Sequence, residues 1–264
     1  MENREQLYII KIGGNIIDDE HRLNAFLKSL SVLAGKKILV HGGGKLATKM
    51  AADLNIPQQM VDGRRITDAE TLKVITMVYA GYINKNIVAQ LQCNGTNAIG
   101  LTGADGNLIM AHKRTSSSID YGYVGDVDMV NDIMIHDMLS RGHTLVIAPV
   151  THDGRGQLLN TNADTIARSV ATSLAQRYAV TLVYSFEKPG VLLDVEDENS
   201  VIPRLNPSLY AKYREEQKIF AGMIPKIDNA FAAISAGVQN VIIGKAEELD
   251  KLTSGCGGTS ITHE

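Results

Sequence analysis

The chain has 264 residues, of which 44% are hydrophobic and 21% charged, so disordered and fibrous classes are excluded and one large domain or two packed lobes can form. A net charge of -3 gives no general attraction to nucleic acid or an anionic membrane, which favours a small-molecule partner. The two cysteines are far apart in the sequence, which argues against a disulfide framework. No apolar run approaches the roughly 18 residues needed to span a bilayer. We therefore predict a cytoplasmic protein.

Short runs rich in branched residues alternate with longer segments of helical period. This pattern is typical of a mainly parallel sheet covered by helices. Strands are predicted at residues 7–12, 37–41, 97–101, 144–148, 180–185 and 240–244, with helices between them. A fresh strand after a helix at 164–178 predicts a boundary between an N-terminal lobe, 1–178, and a C-terminal lobe, 179–264.

Two glycine-rich turns each follow a strand and precede a helix, Lys11-Ile12-Gly13-Gly14-Asn15 and His41-Gly42-Gly43-Gly44-Lys45. Backbone N–H groups in such turns can point at an anion, which also interacts with the positive end of the helix dipole. Glycine permits that approach because a side chain would block it. The alternative is that the glycines only make tight turns. We interpret the pair as phosphate-binding turns, which predicts a phosphoryl-transfer enzyme.

The second turn also matches the dinucleotide fingerprint G-x-G-x-x-G/A through Gly42-Gly43-Gly44-Lys45-Leu46-Ala47, with Asp62 near the expected distance for a ribose contact. This alternative is disfavoured because the turn follows the second strand instead of opening the first βαβ unit. Asp62 also belongs to Asp62-Gly63-Arg64-Arg65-Ile66-Thr67, which is better explained as an anion-binding loop before a helix. A P-loop is excluded because Leu39 stands where its first glycine should be.

The clearest helix is predicted to begin with the capping box Thr67-Asp68-Ala69-Glu70 and to end at Asn94-Gly95. Its apolar residues recur every three or four positions: Leu72, Ile75, Tyr79, Ile83, Ile87 and Leu91. A helix of about 36 Å is a candidate dimer interface, although it could equally pack only on its own sheet. The Ser- and Gly-rich stretch 116–125 is predicted to be a loop or hairpin that could serve as a lid.

Six segments occur in the order seen in the amino-acid kinase family, and the resemblance extends from Leu7 to Ile261. The segments are Lys11-Ile12-Gly13-Gly14, His41-Gly42-Gly43-Gly44, Asp62-Gly63-Arg64-Arg65-Ile66-Thr67, Asn160-Thr161-Asn162-Ala163-Asp164, Gly222-Met223-Ile224-Pro225-Lys226 and Gly258-Thr259-Ser260-Ile261. The resemblance implies a three-layer α/β/α sandwich with a central, mainly parallel eight-stranded sheet (carbamate kinase-like). It also implies an N-terminal lobe for substrate binding and dimerisation, a C-terminal lobe for ATP, and a homodimer built on the long helix.

Within the family, the chain most resembles members that use ATP to phosphorylate the side-chain carboxylate of N-acetyl-L-glutamate in arginine biosynthesis. That carboxylate, with a reference pKa of about 4.3, is ionised at neutral pH and needs no general base. N-succinyl-L-glutamate or another amino acid stays open as the substrate; a succinyl carboxylate would need a cationic partner such as Lys113 or Arg114. A nucleotide-binding regulatory subunit without turnover is an alternative of another class. Mg²⁺ is expected to arrive with ATP, held mainly by phosphates and water, and no protein metal site is predicted.

The resemblance implies catalytic roles for Lys11 and Lys226, whose charges stabilise the transferring phosphoryl group, and for Asp164, which holds both lysines in place. Taken singly, each lysine could instead be a solvated surface residue. Asp164 could instead cap the helix that follows it.

For the amino-acid substrate, the resemblance implies backbone donors at Gly43 and Gly44, an arginine for the α-carboxylate at Arg65, and a side-chain contact from Asn160. Asn160 could alternatively form a turn. Neighbouring Arg64 is predicted to be a surface residue. His41 is expected to hydrogen-bond locally and is left out of the chemistry.

For the nucleotide, the resemblance implies contacts from Gly13, Gly14, Lys188 and Gly190. The family usually has an aspartate after the 180–185 strand, whereas this chain continues Phe186-Glu187-Lys188-Pro189-Gly190. Phe186 or Glu187 replaces the aspartate, and Pro189 removes a backbone donor. Lys188 could meet a phosphate or be a solvated loop lysine.

Overall fold

The computed structural model describes residues 4–61, 64–115, 119–219 and 223–263. The strands are β1 (Gln6–Ile12), β2 (Lys36–His41), β3 (Gln59–Val61), β4 (Arg64–Ile66), β5 (Ala98–Leu101), β6 (Ile109–Lys113), β7 (Val124–Val130), β8 (Thr144–Ile147), β9 (Val150–His152), β10 (Leu158–Thr161), β11 (Ala179–Phe186), β12 (Arg204–Leu205), β13 (Asn240–Lys245) and β14 (Thr259–Ile261). The α-helices are α1 (Gly14–Ile17), α2 (Glu20–Val32), α3 (Gly44–Asp53), α4 (Ala69–Ile75), α5 (Asn84–Cys93), α6 (Asp132–Ser140), α7 (Ala163–Leu174), α8 (Pro207–Glu215), α9 (Ile224–Ser235) and α10 (Leu249–Thr253). Of the residues singled out in the sequence, Asp62, Gly63, Gly222 and 116–118 lie outside the described ranges.

Eight strands form one sheet in the order β12-β14-β13-β11-β1-β2-β8-β5. Every neighbouring pair is parallel except β13 and β14, which are antiparallel. The six predicted strands are all members of this sheet, and the predicted fold class is confirmed. The expected lobe boundary falls between α7 and β11. Because β11 pairs with β1 along its length, the sheet continues without a break across that boundary.

The two faces of the sheet are covered by different helices, which produces three layers. On β1, Leu7 and Ile9 face the core that contains Val170 of α7. Ile10 and Ile12 face the opposite core, formed with α2 and α5. Successive residues of a strand point to opposite faces, so a strand covered on both sides must be apolar at nearly every position. This requirement explains why the central strands are nearly continuous runs of branched residues.

Four further strands, β6, β7, β9 and β10, close into a small barrel. Within it, β10 is parallel to β7 and antiparallel to β9. The barrel is joined to the segment before α4 because Thr67 pairs with Gly122, and Thr67 N donates to Tyr121 O at 3.0 Å. The described part of the 116–125 stretch therefore docks against the start of the long helix.

The long helix is continuous from α4 through a π-helical segment (Thr76–Ile83) into α5. All six of its predicted inward residues are buried. The predicted capping box is wrong in detail. The cap is Asp68, whose side chain accepts from Thr71 N at 2.8 Å, because Thr67 is held in the bridge to Gly122. Met77 and Tyr82 remain 56% and 66% exposed on the outer side. Among the described helices, none combines the length and apolarity that crossing a membrane would require.

Candidate active site

The two glycine turns lie side by side at the carboxyl edge of the sheet. They follow β1 and β2, which are parallel neighbours with Ile12 opposite His41. Gly13 precedes α1 and Gly43 precedes α3, each as the N-cap residue. The first N–H groups of a helix have no intrahelical acceptor, so both turns present free donors toward the same edge. In open α/β sheets this edge is where ligands bind.

Lys11 forms an ion pair with Asp164, with 2.9 Å between Nζ and Oδ1. Strand alternation explains the placement of Lys11. Leu7, Ile9 and Lys11 point to the same face, and at the end of β1 that face meets the first turn of α7. The two side chains are only 15% and 19% exposed, so the attraction is screened less than in a surface pair. The alternative of a fully solvated Lys11 is thus excluded.

Alternate residues have different structural roles in the segment Asn160-Thr161-Asn162-Ala163-Asp164. Asn160 lies in β10 opposite Val124 and not in a turn, so the turn alternative is wrong. Asn162 is the N-cap of α7, accepting from Asp164 N at 2.8 Å and Thr165 N at 3.1 Å. The alternative role of Asp164 as the helix cap is therefore wrong, and its carboxylate is available to Lys11.

Lys226 lies in the first turn of α9, close enough to Lys11 and Asp164 for both to act on it electrostatically. Burial and then the like charge of Lys11 lower the pKa of Lys226, while Asp164 and Glu187 oppose the shift. Two ammonium groups thus lie near each other beside the glycine turns, with the Asp164 and Glu187 carboxylates close to them. Because the two like charges disfavour each other, an anionic ligand between them would be stabilising.

Tyr184 supports Asp164 from the sheet. Its hydroxyl donates to the Asp164 backbone oxygen at 3.3 Å, and only 3% of the residue is exposed. Burial and the Asp164 carboxylate both raise the pKa of this phenol, so it remains a neutral donor. Tyr184 lies opposite Lys11 in the β1–β11 register, so strand alternation alone could have placed these two residues together.

Arg65 is brought to the N-terminus of α3. Its guanidinium donates to Gly44 O at 3.0 Å, to the Thr48 hydroxyl at 2.9 Å and to the Gln58 side-chain oxygen. Arg65 is 9% exposed, whereas Arg64 is exposed, as expected. These contacts fix the plane of the guanidinium next to the glycine turn.

Asn160 reaches the same region through Thr67. Asn160 Nδ2 donates to the Thr67 hydroxyl at 3.0 Å, and that hydroxyl donates to Arg65 O at 3.2 Å. The structure therefore brings Gly44, Arg65 and Asn160 together, although they are far apart in the chain. Thr48 and Gln58 were not identified from the sequence, and Thr67 was named there only as part of the 62–67 motif and as a helix cap. The sequence signal of Thr48 was its position one turn after Gly44, and Gln58 had none.

Lys188 and Gly190 lie apart from this group, in the segment after β11. Lys188 donates to Val195 O at 3.3 Å and lies 3.6 Å from the Glu198 carboxylate. Gly190 is buried so closely against Val201 and Thr259 that a Cβ would lie 2.7 and 2.8 Å from their side chains. Gly190 therefore has a packing reason to be glycine. Glu187 is the member of this segment that acts on Lys226.

Lys113 and Arg114, the two candidates for an extra cationic contact, already have acidic partners. Arg114 Nε lies 3.1 and 3.0 Å from the two carboxylate oxygens of Asp126, and this contact lowers the pKa of Asp126. Lys113 lies 3.3 Å from Asp120 on the exposed rim. Both positive charges are therefore already paired with a carboxylate.

The profile of the amino acid kinase family matches residues 6–245. The acetylglutamate kinase of Cytophaga hutchinsonii is 57% identical over 249 residues, covering 94% of each chain. The acetylglutamate kinase of Bacteroides fragilis is 53% identical over 246 residues, covering 93% of this chain and 94% of its own. A solved carbamate kinase from Giardia lamblia bound to AMP-PNP superposes with a TM-score of 0.71 at 11% identity, with both chains fully covered, which shows a shared fold.

Gly43 has no room for a side chain. Its φ is +148°, and a Cβ would overlap Ile83 Cδ1 and approach the Tyr79 ring at 3.1 Å. We expect Gly43→Ala to lower the free energy of unfolding by about 2–4 kcal/mol, from backbone strain plus overpacking. Gly95→Ala is the matched control, because Gly95 also has positive φ (+76°) but open space around it, and should lose only about 1 kcal/mol. Urea unfolding of both variants measures the difference; equal losses would contradict the packing argument.

Proposed function

The chain belongs to the amino acid kinase family, and we propose that it transfers the γ-phosphoryl group of ATP to the side-chain carboxylate of N-acetyl-L-glutamate. The product is N-acetyl-L-glutamyl 5-phosphate, an intermediate of arginine biosynthesis. Two relatives that carry this name match nearly the whole chain at more than half identity. The single structural observation that supports the proposal most is the cluster of Lys11, Asp164 and Lys226 beside two phosphate-binding turns.

The reaction needs charge cancellation more than proton transfer. The attacking carboxylate is already ionised at neutral pH, so no residue is required as a general base. It must approach the γ-phosphoryl group of ATP, which is also anionic, and positive charge reduces that repulsion. We assign Lys11, at the end of β1, and Lys226, in the first turn of α9, to stabilise the transferring group. Asp164, bound to Lys11, holds the two ammonium groups in position.

We assign the acylglutamate to the side of the site formed by α3 and β10. The backbone donors of Gly43 and Gly44 face the reacting carboxylate and the transferring group. Arg65, already oriented by Gly44 and Thr48, is placed to bind the α-carboxylate with its remaining donors. Asn160 supplies a polar contact from the neighbouring barrel strand.

We assign the nucleotide to the turn after β1 and the segment after β11, with the N-terminal residues 1–178 binding the amino acid and 179–264 binding ATP. Gly13 and Gly14 offer backbone donors to its phosphates. Gly190 shapes the segment by packing on β14, where Val191 N donates to the Thr259 hydroxyl at 2.8 Å. Lys188 would have to leave Glu198 to reach a phosphate, and ATP protection of Lys188 from amine labelling would test this assignment.

Mg²⁺ is proposed to enter with ATP. In the described part of the chain, no three His, Cys, Asp or Glu side chains gather into a metal site. Asp164, the carboxylate nearest the two catalytic lysines, is occupied by Lys11. The donor set thus fits an ion held by phosphate oxygens and water, and no protein ligand is assigned to it. Titrating Mg²⁺ at fixed ATP would test the requirement.

We further propose a cytoplasmic homodimer built on the long helix. Met77 and Tyr82 on its outer side are large hydrophobic residues that are exposed, as is expected of a surface that binds another protein. Both cysteines, Cys93 and Cys256, are unpaired and exposed, as suits a reducing compartment. Sedimentation equilibrium at micromolar concentration tests the dimer, and a monomer there would refute it.

The alternatives receive less support. A regulatory subunit without turnover would have no need for the Lys11–Asp164–Lys226 cluster. A succinyl group would place a third carboxylate in the site, and the two cations considered for it, Lys113 and Arg114, are paired with Asp120 and Asp126. N-acetylglutamate is therefore the substrate that this geometry favours.

The decisive experiment is a coupled ADP-release assay with N-acetylglutamate, N-succinylglutamate, glutamate, aspartate, carbamate and UMP. We expect N-acetylglutamate to give the highest kcat/KM. If only N-succinylglutamate were turned over, the protein would still be a kinase, but its substrate would carry a succinyl group instead of an acetyl group. Absence of turnover with either acylglutamate would refute the proposed function.

Removing the Lys226 charge should slow the chemical step. For Lys226→Ala we expect kcat to fall about 10²- to 10³-fold with substrate KM changed little, because the contact strengthens in the transition state. Lys212→Ala is the control, since Lys212 is 62% exposed on α8. Steady-state kinetics measure both variants; a normal kcat for Lys226→Ala would remove this residue from the catalytic set.

The pH dependence provides a second readout on Lys226. Burial lowers its pKa below the ordinary 10.5, so its charge is lost at a lower pH than for an exposed lysine. The kcat/KM of the wild type should therefore fall as pH rises through that lowered value. Lys226→Arg, whose guanidinium stays charged, should hold its own kcat/KM constant to higher pH.

Arg65 and Arg64 form a matched pair of adjacent arginines, one buried and one exposed. We expect Arg65→Ala to raise the acylglutamate KM about 10- to 100-fold, because a charge-assisted contact to the α-carboxylate is lost. Arg64→Ala should change that KM less than about twofold, since its side chain is solvated. If Arg65→Ala instead raised mainly the ATP KM, the assigned role would be wrong.

A further inference from the structure

His41 and Asn84 form a buried hydrogen-bond connection that the catalytic assignments do not use. Both residues are 0% exposed. His41 ends β2 and begins the second glycine turn, while Asn84 is the first residue of α5, directly after the π-helical segment. A buried imidazole in contact with a ligand-binding turn needs a physical explanation, because burying polar groups is unfavourable unless they are fully paired.

The hydrogen bonds determine which nitrogen of His41 carries the hydrogen. Nδ1 lies 2.9 Å from Gly42 O, and a carbonyl oxygen can only accept, so Nδ1 must donate. Nε2 is then the acceptor for Asn84 Nδ2, at 3.2 Å. The second hydrogen of that amide goes to Val146 O at 3.0 Å. The whole chain of donors and acceptors is therefore consistent with one tautomer only.

The orientation of the Asn84 amide is itself fixed. Its Oδ1 accepts from Lys85 Nζ at 3.2 Å, and Lys85 also donates to Gly100 O at 2.8 Å. A Cβ on Gly100 would overlap Asn84 Oδ1, so β5 leaves space for this amide. The amide cannot rotate to offer its oxygen to His41 without losing the contacts to Lys85 and Val146.

The same stretch of helix also touches the glycine turn directly. Tyr79 and Ile83 occupy the space where Gly43 would carry a Cβ. Asn84 follows Ile83 and contacts His41, so consecutive helix residues meet the start and the middle of the turn. The long helix thus supports the turn at both His41 and Gly43.

We propose that Asn84 and His41 are positioning residues for the Gly42-Gly43-Gly44 turn: Asn84 selects the His41 tautomer with hydrogen on Nδ1, and that N–H holds the Gly42 carbonyl. The Gly43 N–H lies in the same peptide plane as this carbonyl and points the opposite way, so turning the carbonyl toward His41 directs that N–H to the substrate side. The inference rests on the function proposed above, because it assigns a purpose to the orientation of that donor.

The charges around His41 are consistent with a permanently neutral ring. Burial, together with a smaller effect of Lys85 on the helix, lowers the pKa of His41 to about 4 against the opposing effect of the hydrogen bond to Gly42. The neighbouring β1 and α7 bring Lys11 and Asp164, which are paired with each other, and β8 carries no charged residue. His41 thus stays neutral throughout the physiological pH range, and its tautomer is set by Asn84.

Asn84→Asp tests this role because it keeps the shape but replaces the donor by an acceptor. Above neutral pH the carboxylate should draw the hydrogen to Nε2, leaving the Nδ1 lone pair against Gly42 O. One added proton, on the ring or on the carboxyl group, restores the Nδ1 donor. We expect kcat/KM relative to wild type to be about tenfold reduced near pH 8 and to recover to within about threefold near pH 6.

Asn86→Asp is the matched control, since it places the same charge on the same helix while keeping an acceptor for Gln90, which donates to Asn86 at 3.3 Å. Its activity relative to wild type should not change with pH. A ratio for Asn84→Asp that is equally flat would overturn the proposal, because the Nδ1 donor lost at high pH should return when the site takes up a proton.

A second measurement does not depend on the stability of any Asn84 variant. NMR of ¹⁵N-histidine-labelled wild type, with His41 assigned by the signal lost in His41→Asn, reports the tautomer directly. We expect the neutral Nδ1–H form at pH 7; the Nε2–H form or an imidazolium would overturn the proposal. This spectrum is recorded without substrate, so it reports the tautomer whether or not the protein is active. If the wild type were inactive on every acylglutamate, the kinase function would be refuted, but the tautomer would still be decided by the spectrum.

Discussion

The ion pair between Lys11 and Asp164 is the interaction on which the arrangement of the site depends. It joins the end of the central strand β1 to the first turn of α7, so it connects the sheet with the helix layer at the edge where ligands bind. Without Asp164, Lys11 and Lys226 would be two half-buried ammonium groups that repel each other. Asp164 offsets part of that repulsion, and an anionic phosphoryl group would offset more of it.

Backbone geometry supplies the remaining anion contacts, and packing supplies that geometry. The two glycine turns are adjacent because β1 and β2 are parallel neighbours in register. Gly43 keeps its unusual φ because Tyr79 and Ile83 fill the space beside it. The long helix therefore serves three purposes at once: it covers the sheet, shapes the second turn through the His41–Asn84 contact, and presents exposed Met77 and Tyr82 on its outer side. A substitution in its middle can disturb activity without touching substrate.

The acidic residues of the site differ in their roles because their surroundings differ. Asp164 is held by Lys11 and screened from water, and its neighbouring phenol Tyr184 is kept neutral. Glu187 is exposed yet acts on Lys226. Replacement of the usual family aspartate by Phe186 and Glu187 thus still leaves a carboxylate close to the second lysine. This observation connects the segment after β11 to the catalytic cluster, although Lys188 itself contacts Glu198.

The sequence by itself determined the alternation of strands and helices, the two glycine turns and the membership of Lys11, Arg65, Asn160, Asp164 and Lys226 in motifs. These features are local, since they depend on periodicity and on which residue types follow a strand. It did not determine which residue capped a helix: Asp68 and Asn162 do so because tertiary contacts hold Thr67 and Asp164 elsewhere. It also could not reveal the supports of Arg65, or the pairing of His41 with Asn84. Those contacts join residues separated by 7 to 43 positions, and only the folded arrangement of strands and helices brings them within hydrogen-bond distance.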